Sequence, residues 1–185
     1  LVTTDQYINS MRYLFGAGIQ IRVEFPPFER TEGLLGNSAA FAGISSSQLE
    51  QFQGAAASVA SQVVDPANRE FLVPCKPVDE RAADTACARE FLSSTGRLLY
   101  RRPLKGDEVE QFVDSAAYGA DTLNDFYAGL ELALEGMLLS PDVMFIVDRV
   151  EPDPDNAGHL RLDAYSLASR LSYFLWNAGP DAELL

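Results

Sequence analysis

Residues 106–139 read GDEVEQFVDSAAYGADTLNDFYAGLELALEGMLL, and this stretch decides the fold class. Val109, Phe112, Val113 and Ala116 recur at helical spacing over about 106–119. Phe126, Leu130, Leu134, Met137 and Leu138 do so again over about 122–139. Apolar residues three and four apart line one side of a 3.6-residue helix, whereas a half-buried strand needs strict alternation. Ser140-Pro141 ends the second helix, because proline disfavours the helical conformation in the residue before it.

Working back towards the N-terminus, a helix over about 80–99 carries Cys87, Phe91, Leu92, Leu98 and Leu99, with Gly96 as its weak point. The stretch 67–79, with Pro74, Cys75 and Pro77, reads as irregular. Before it, Ser45 with Gln48, or Ser47 with Glu50, caps a helix to about Val64 with Leu49, Phe52, Ala56, Val59, Ala60 and Val63 on one face. Residues 28–44 read as a Gly/Asn/Ser-rich loop packed by Phe28, Leu34, Leu35 and Phe41. Ile19, Ile21, Val23 and Phe25 alternate with polar residues, the pattern of a short strand or an extended edge stretch, closed by Pro26-Pro27. Thr3 and Gln6 form a capping box for a first helix that ends at Gly16.

On the C-terminal side, 143–150 reads as extended and the acidic 151–158 as a linker. Asp163 caps a last helix to about Asn177, with Leu167, Ala168, Leu171, Phe174 and Leu175 facing inward. The fold class is therefore mostly α, with helical bundle-like modules and short extended segments. The division is an N-terminal module over 1–66, a second over 67–150, and a linker plus the first helix of a third over 151–185. From Leu1 at the start and Gly179-Pro180-Asp181 near the end, the chain is expected to be a fragment of a longer protein.

Composition narrows the function. The net charge is −13, with two lysines, Lys76 and Lys105, and Arg101-Arg102 as the longest basic run. Such a chain repels nucleic-acid phosphate and anionic lipid, so nucleic acid is not an expected partner. No apolar run reaches the roughly 18 residues that a membrane span needs, so no membrane insertion is expected. Cys75 and Cys87 are a disulfide in an oxidising compartment and two thiols in a reducing one.

Candidate sites are few. Arg101 and Arg102 form either an anion clamp or a structural pair that bonds helix-end carbonyls and a carboxylate such as Glu108, and the structural role is favoured. Tyr173-Phe174-Leu175-Trp176 would line a pocket or pack in the core. Packing is favoured for Phe174 and Leu175, while Trp176 and Asn177 are the residues most available for contact. His159, the single histidine, reads as a solvated loop residue. The sequence from Asp153 to Gly158 lacks two ligands of a calcium loop, at Ala157 and Ala164. Carboxylate pairs such as Glu131 and Glu135 carry no acid–base signal where 27 acidic residues occur. No P-loop, nucleophile elbow or haem-attachment motif is present.

Three stretches carry a family resemblance. The first runs from Leu1 through Tyr7 and Arg12 to Gly16, followed by Phe25-Pro26 and Gly36-Asn37. The second combines Cys87-Ala88, Tyr100-Arg101-Arg102-Pro103-Leu104 and Leu138-Leu139-Ser140-Pro141. The third runs from Leu162 through Arg170 to Trp176 and closes with 180–185. Together they resemble large exported bacterial proteins built of consecutive modules of unknown function, of the 1587 and 1595 types and the start of the 1592 type. In those proteins the modules precede a cytochrome-c-like segment. The resemblance implies export, to the periplasm or cell surface, and a Cys75–Cys87 bridge. It implies no cofactor in this chain, with haem c in missing modules or a partner chain, and as partner the rest of the parent polypeptide or a haem-bearing chain.

Three functions follow as expectations. The first is a non-catalytic helical scaffold of a c-type-cytochrome-linked redox protein. The second is the substrate-binding part of an extracellular polymer-degrading or oxidative enzyme, with Arg101, Arg102, Arg170, Tyr173 and Trp176 as pocket or interface candidates. The third is a structural cell-surface interaction module.

Overall fold

The structure, a computed structural model, describes residues 1–23, 25 and 43–185. Helix α1 (Thr4–Phe15) starts at the expected capping box. The Gln6 amide donates to the Thr3 hydroxyl at 3.2 Å, and the Thr3 amide donates to the Gln6 side chain at 3.0 Å. Gly16 follows with φ +87°, a conformation that glycine adopts without Cβ strain. Ile19, Ile21 and Phe25 then point inward while Gln20 and Arg22 face out, with no strand ladder among the described residues. The edge reading therefore holds. The Gln62 side-chain amide supplies what a neighbouring strand would, accepting from the Gln20 amide at 2.8 Å and donating to its carbonyl at 2.9 Å. The predicted loop over 28–44, with Phe28, Leu34, Leu35 and Phe41, lies almost wholly outside the described residues, as do Pro26 and Gly36-Asn37.

Helix α2 (Ser46–Val64) uses Ser45 with Gln48 as its cap and buries Phe52, Ala55, Ala56, Val59, Ala60 and Val63, but Leu49 is exposed rather than inward. The stretch read as irregular contains a one-turn helix, α3 (Arg69–Leu72), begun by the Asp65 carbonyl, which accepts from the Asn68 and Arg69 amides. Helix α4 (Thr85–Leu99) starts five residues later than predicted, because the Asp84 carboxylate accepts from the Cys87 amide at 3.0 Å and fixes the N-cap there. A disulfide joins Cys75 to Cys87, with Cα atoms 5.4 Å apart.

Helix α5 (Gly106–Leu123) runs through Gly119, where the sequence pattern placed its end, and α6 (Phe126–Leu138) follows with Asp125 as cap. A Cβ on Gly129 would lie 2.2 Å from the Ala116 carbonyl oxygen, and one on Gly119 would lie 2.8 Å from Gly129 Cα. The two glycines let backbone touch backbone, so Gly119 serves packing and not termination. Helix α6 also packs on α2, and α4 packs on α5. A single apolar cluster runs from Leu1 and Val2 through Phe52, Phe91 and Leu134 to Tyr173.

Two further expectations need correction. Residues 143–150 are not wholly extended, because Ser140 caps a one-turn helix, α7 (Pro141–Met144). The linker over 151–158 is instead a hairpin, with β1 (Val150–Pro152) antiparallel to β2 (Leu160–Leu162). Its turn closes because the Asp153 carboxylate accepts from the Asp155 amide at 2.9 Å and the Asn156 side chain at 2.8 Å, with Gly158 at φ +84°. His159 sits exposed at its end.

Helix α8 (Ala164–Trp176) has the expected Asp163 cap, but of the residues expected inward only Ala168 is buried. Ser166, Ala168, Ser169, Ser172 and Tyr173 are buried, while Leu167, Leu171, Phe174 and Leu175 face out, Phe174 at 85% exposure.

Candidate functional site

Two of the candidate residues, Arg101 and Tyr173, meet where the end of α4, α7 and α8 come together. Arg101 follows α4 with φ +56°, a left-handed conformation that turns its side chain back under the helix end. Only 6% exposed, it donates from Nη1 to the Leu99 carbonyl and the Tyr173 hydroxyl, both at 3.3 Å. From Nη2 it donates to the Phe145 carbonyl at 2.7 Å and to the Asp142 carbonyl. No carboxylate pairs with it among the described residues. Carbonyl dipoles solvate the buried charge, and all four Nη hydrogens are used.

Arg102 points elsewhere. It grips Glu108 with two bonds of 2.7 Å, approaches the Asp142 carboxylate at 3.5 Å and lies 5.4 Å from the Tyr100 ring centre. The Lys105 amide also donates to Glu108 at 2.7 Å. Arg102 foremost, with that amide, holds the Glu108 carboxyl down at about 2, and Glu108 in turn raises the Arg102 guanidinium. Burial chiefly raises the Tyr100 phenol. Asp142, which the sequence reading did not single out, is the hub: its carbonyl serves Arg101 and its carboxylate pairs with Arg102 and Arg149. Its only sequence signal was a place just after Ser140-Pro141, at a helix start.

Arg170 lies on the outer side of α8 and pairs with Asp148, whose carboxyl it lowers. Tyr173 borders a cleft of about 320 Å³ between α1, the end of α4 and residues 179–183. Trp176 borders an adjoining one of about 750 Å³, and both clefts are edged by Tyr13, Asp181 and Glu183. The structure thus brings Arg101 and Tyr173 together, places Trp176 beside them, and sets Arg102 and Arg170 on other partners. The smaller cleft is walled by α1, tied to the C-terminal segment through Asn9 on the Asn177 carbonyl (3.2 Å), the Gly179 amide on Ser10 (2.9 Å) and Tyr13 on Asp181 (3.3 Å).

The Tyr7 hydroxyl is buried without a hydrogen-bond partner among the described residues. Burial raises the phenol far above its ordinary range. The ring packs edge-on against Phe25 and Phe52, so the residue is retained by its aromatic contacts. Glu131 and Glu135 border neither cleft, and burial followed by the Glu135 charge raises the Glu131 carboxyl. Among the described residues, no group of three His, Cys, Asp or Glu could hold a metal ion, and no helix is long and apolar enough to cross a membrane.

Fold and site define a mostly helical, disulfide-braced protein in which the conspicuous arginines join helices to one another. Family models match it in consecutive order: PSD3, a protein of unknown function (DUF1587), over residues 1–65; PSD5 (DUF1595) over 87–148; and PSD4 (DUF1592) over 162–185. The chain is thus similar to the first two families and to the start of the third, in consecutive order. No curated protein and no solved structure matches it.

Proposed function

We propose that this chain is the helical scaffold of an exported, c-type-cytochrome-linked redox protein, non-catalytic in itself, which orients a haem-bearing segment or partner chain. One observation carries the scaffold reading: a single core extends through all three matched segments, from Leu1 to Tyr173. A close-packed body of this kind keeps its surfaces at fixed spacing, which is what orienting another module requires. Arg101 and the disulfide brace the body at two places, and the basic side chains of the candidate set hold internal partners. Export is supported by the disulfide, a bond that persists in oxidising compartments. The redox link rests on the family resemblance, and the charge of −13 would draw in a basic electron-transfer partner.

The test is a visible spectrum, oxidised and dithionite-reduced, of the intact assembly from its native source. Sharp reduced-state cytochrome bands with this chain co-migrating are expected. A featureless spectrum removes the redox link and leaves the scaffold without a haem to orient.

A second reading is favoured by the adjoining clefts at Tyr173 and Trp176: the substrate-binding part of an extracellular polymer-degrading or oxidative enzyme. Retardation of the chain in a gel containing soluble polysaccharide, abolished by Trp176→Ala, would favour it over the scaffold.

A further inference from the structure

Helix α8 has two working faces. Towards the body it presents Ser166, Ala168, Ser169, Ser172 and Tyr173, all buried; away from it, Leu167, Leu171, Phe174 and Leu175 stand exposed at i, i+4, i+7 and i+8. A surface helix carries its polar residues outward, and one covered on both sides is an interior helix. The hairpin leading into α8 repeats the pattern. Cross-strand partners share a face, so Val150 and Leu162, Pro152 and Leu160 form one apolar side, while Glu151 and Arg161 pair on the other. Folded monomers seldom leave contiguous apolar surface of this kind uncovered.

We propose that the stripe Leu167–Leu171–Phe174–Leu175 is the seat of an amphipathic helix from the remainder of the PSD4 segment, whose start is the stretch matched at 162–185. The proposal rests on the scaffold reading and names what the scaffold carries. Three observations select that occupant. The uncovered stripe lies inside the stretch matched to the start of PSD4; the segments matched to PSD3 and PSD5 also expose large residues such as Tyr13, Leu49, Tyr118 and Leu132, but bury Phe52, Phe91, Leu130 and Leu134 in the common core. The i, i+4, i+7, i+8 spacing forms a ridge that fits the groove of another helix, not the edge of a sheet. A second copy of the chain brings another net charge of −13, and like charge opposes that association.

The test compares Leu171→Glu in two polypeptides: the 185-residue chain and a longer one carrying the whole PSD4 segment. In the longer polypeptide the substitution should lower the Tm by about 5 °C or more and speed amide exchange over residues 164–176. In the 185-residue chain the Tm should move by no more than about 2 °C. Should the glutamate variant of the longer polypeptide fail to fold, Leu171→Ala gives the same contrast with a smaller loss. Equal Tm values and equal exchange in the longer polypeptide with and without the substitution would overturn the proposal. So would a sedimentation result in which the 185-residue chain dimerises and Leu171→Glu makes it monomeric, since the stripe would then be a self-interface. Neither result alters the haem spectrum, so failure of the docking proposal and failure of the redox reading are separable.

Discussion

Helices α6 and α8 are each 13 residues long, each capped by an aspartate and each rich in leucine, yet α6 buries most of its large side chains while α8, Tyr173 apart, exposes its own. Helix α6 lies between α2 and α5 and buries Phe126, Leu130, Leu134, Met137 and Leu138. Helix α8 turns serines, an alanine and Tyr173 inward and leaves its leucines and Phe174 outside. Amphipathic spacing identifies a stripe, but only the partner determines whether the stripe faces in. Helix α6 meets its partners within the chain. On α8 the polar network of Arg101 and Tyr173, together with the Ser172 hydroxyl donating to the Ala178 carbonyl at 2.9 Å, sets the inward face.

The contrast can be broken most forcefully at Leu134, which is fully buried. Leu134→Ala should cost about 4 kcal/mol, read from chemical denaturation. A loss below about 1 kcal/mol would mean that α6 is no better packed than α8. Next comes the anchor of α8. Arg101→Met should cost roughly 3 kcal/mol, because it leaves the Leu99, Asp142 and Phe145 carbonyls short of a donor. It should also raise amide exchange in 164–176 more than in 126–138, and equal exchange in both would detach α8 from that network. Replacing Cys75 and Cys87 with serine removes a closed loop of about a dozen residues and should cost about 3 kcal/mol. The loosening should fall on α4 and leave α8 as it was.

Acid sharpens the comparison from another side. Glu108 is held at about 2 against an ordinary carboxyl value of 4.5, so its ion pair with Arg102 stabilises fully above about 4.5 and is lost as the pH falls through about 2. With solvent screening the contribution is about 1 kcal/mol. The Tm difference between the native chain and Glu108→Gln should therefore be constant from neutral pH down to about 5 and close between there and about 2. The smallest effect belongs to α8's outer face: Leu167→Ser in this chain should change stability by less than about 0.5 kcal/mol.

What could be read from the sequence was whatever is encoded within a few residues. The Thr3, Ser45 and Asp163 caps, the stop at Ser140-Pro141 and the stripe of α6 all stand in the structure. So does the Arg102–Glu108 pair, six residues apart. What could not be read depends on distant partners. Gly119 resembles a terminator until Gly129 is known to press against it. The strand alternation over 19–25 does not reveal that Gln62 will stand in for a neighbouring strand. The inward face of α8 holds Tyr173, whose partner Arg101 lies 72 residues away, and Asp142 acquired its central place only when three arginines converged on it. The acidic hairpin looked like a linker because its closing bonds are an Asx turn, local in geometry but indistinguishable in composition from an open loop.

Arg101 also sets a timetable. Its acceptors lie at Leu99, Asp142, Phe145 and Tyr173, so the guanidinium cannot complete its bonds when the first hundred residues have been made. A chain folding as it is synthesised can form α1, α2, α4 and the α5–α6 pair early. The cation stays in water until the Asp142 and Phe145 carbonyls emerge, and the Tyr173 hydroxyl completes its set only with α8. The last matched segment therefore adds the final acceptor to a corner that the two before it have already built, and a ribosome paused before Tyr173 would carry that guanidinium one partner short.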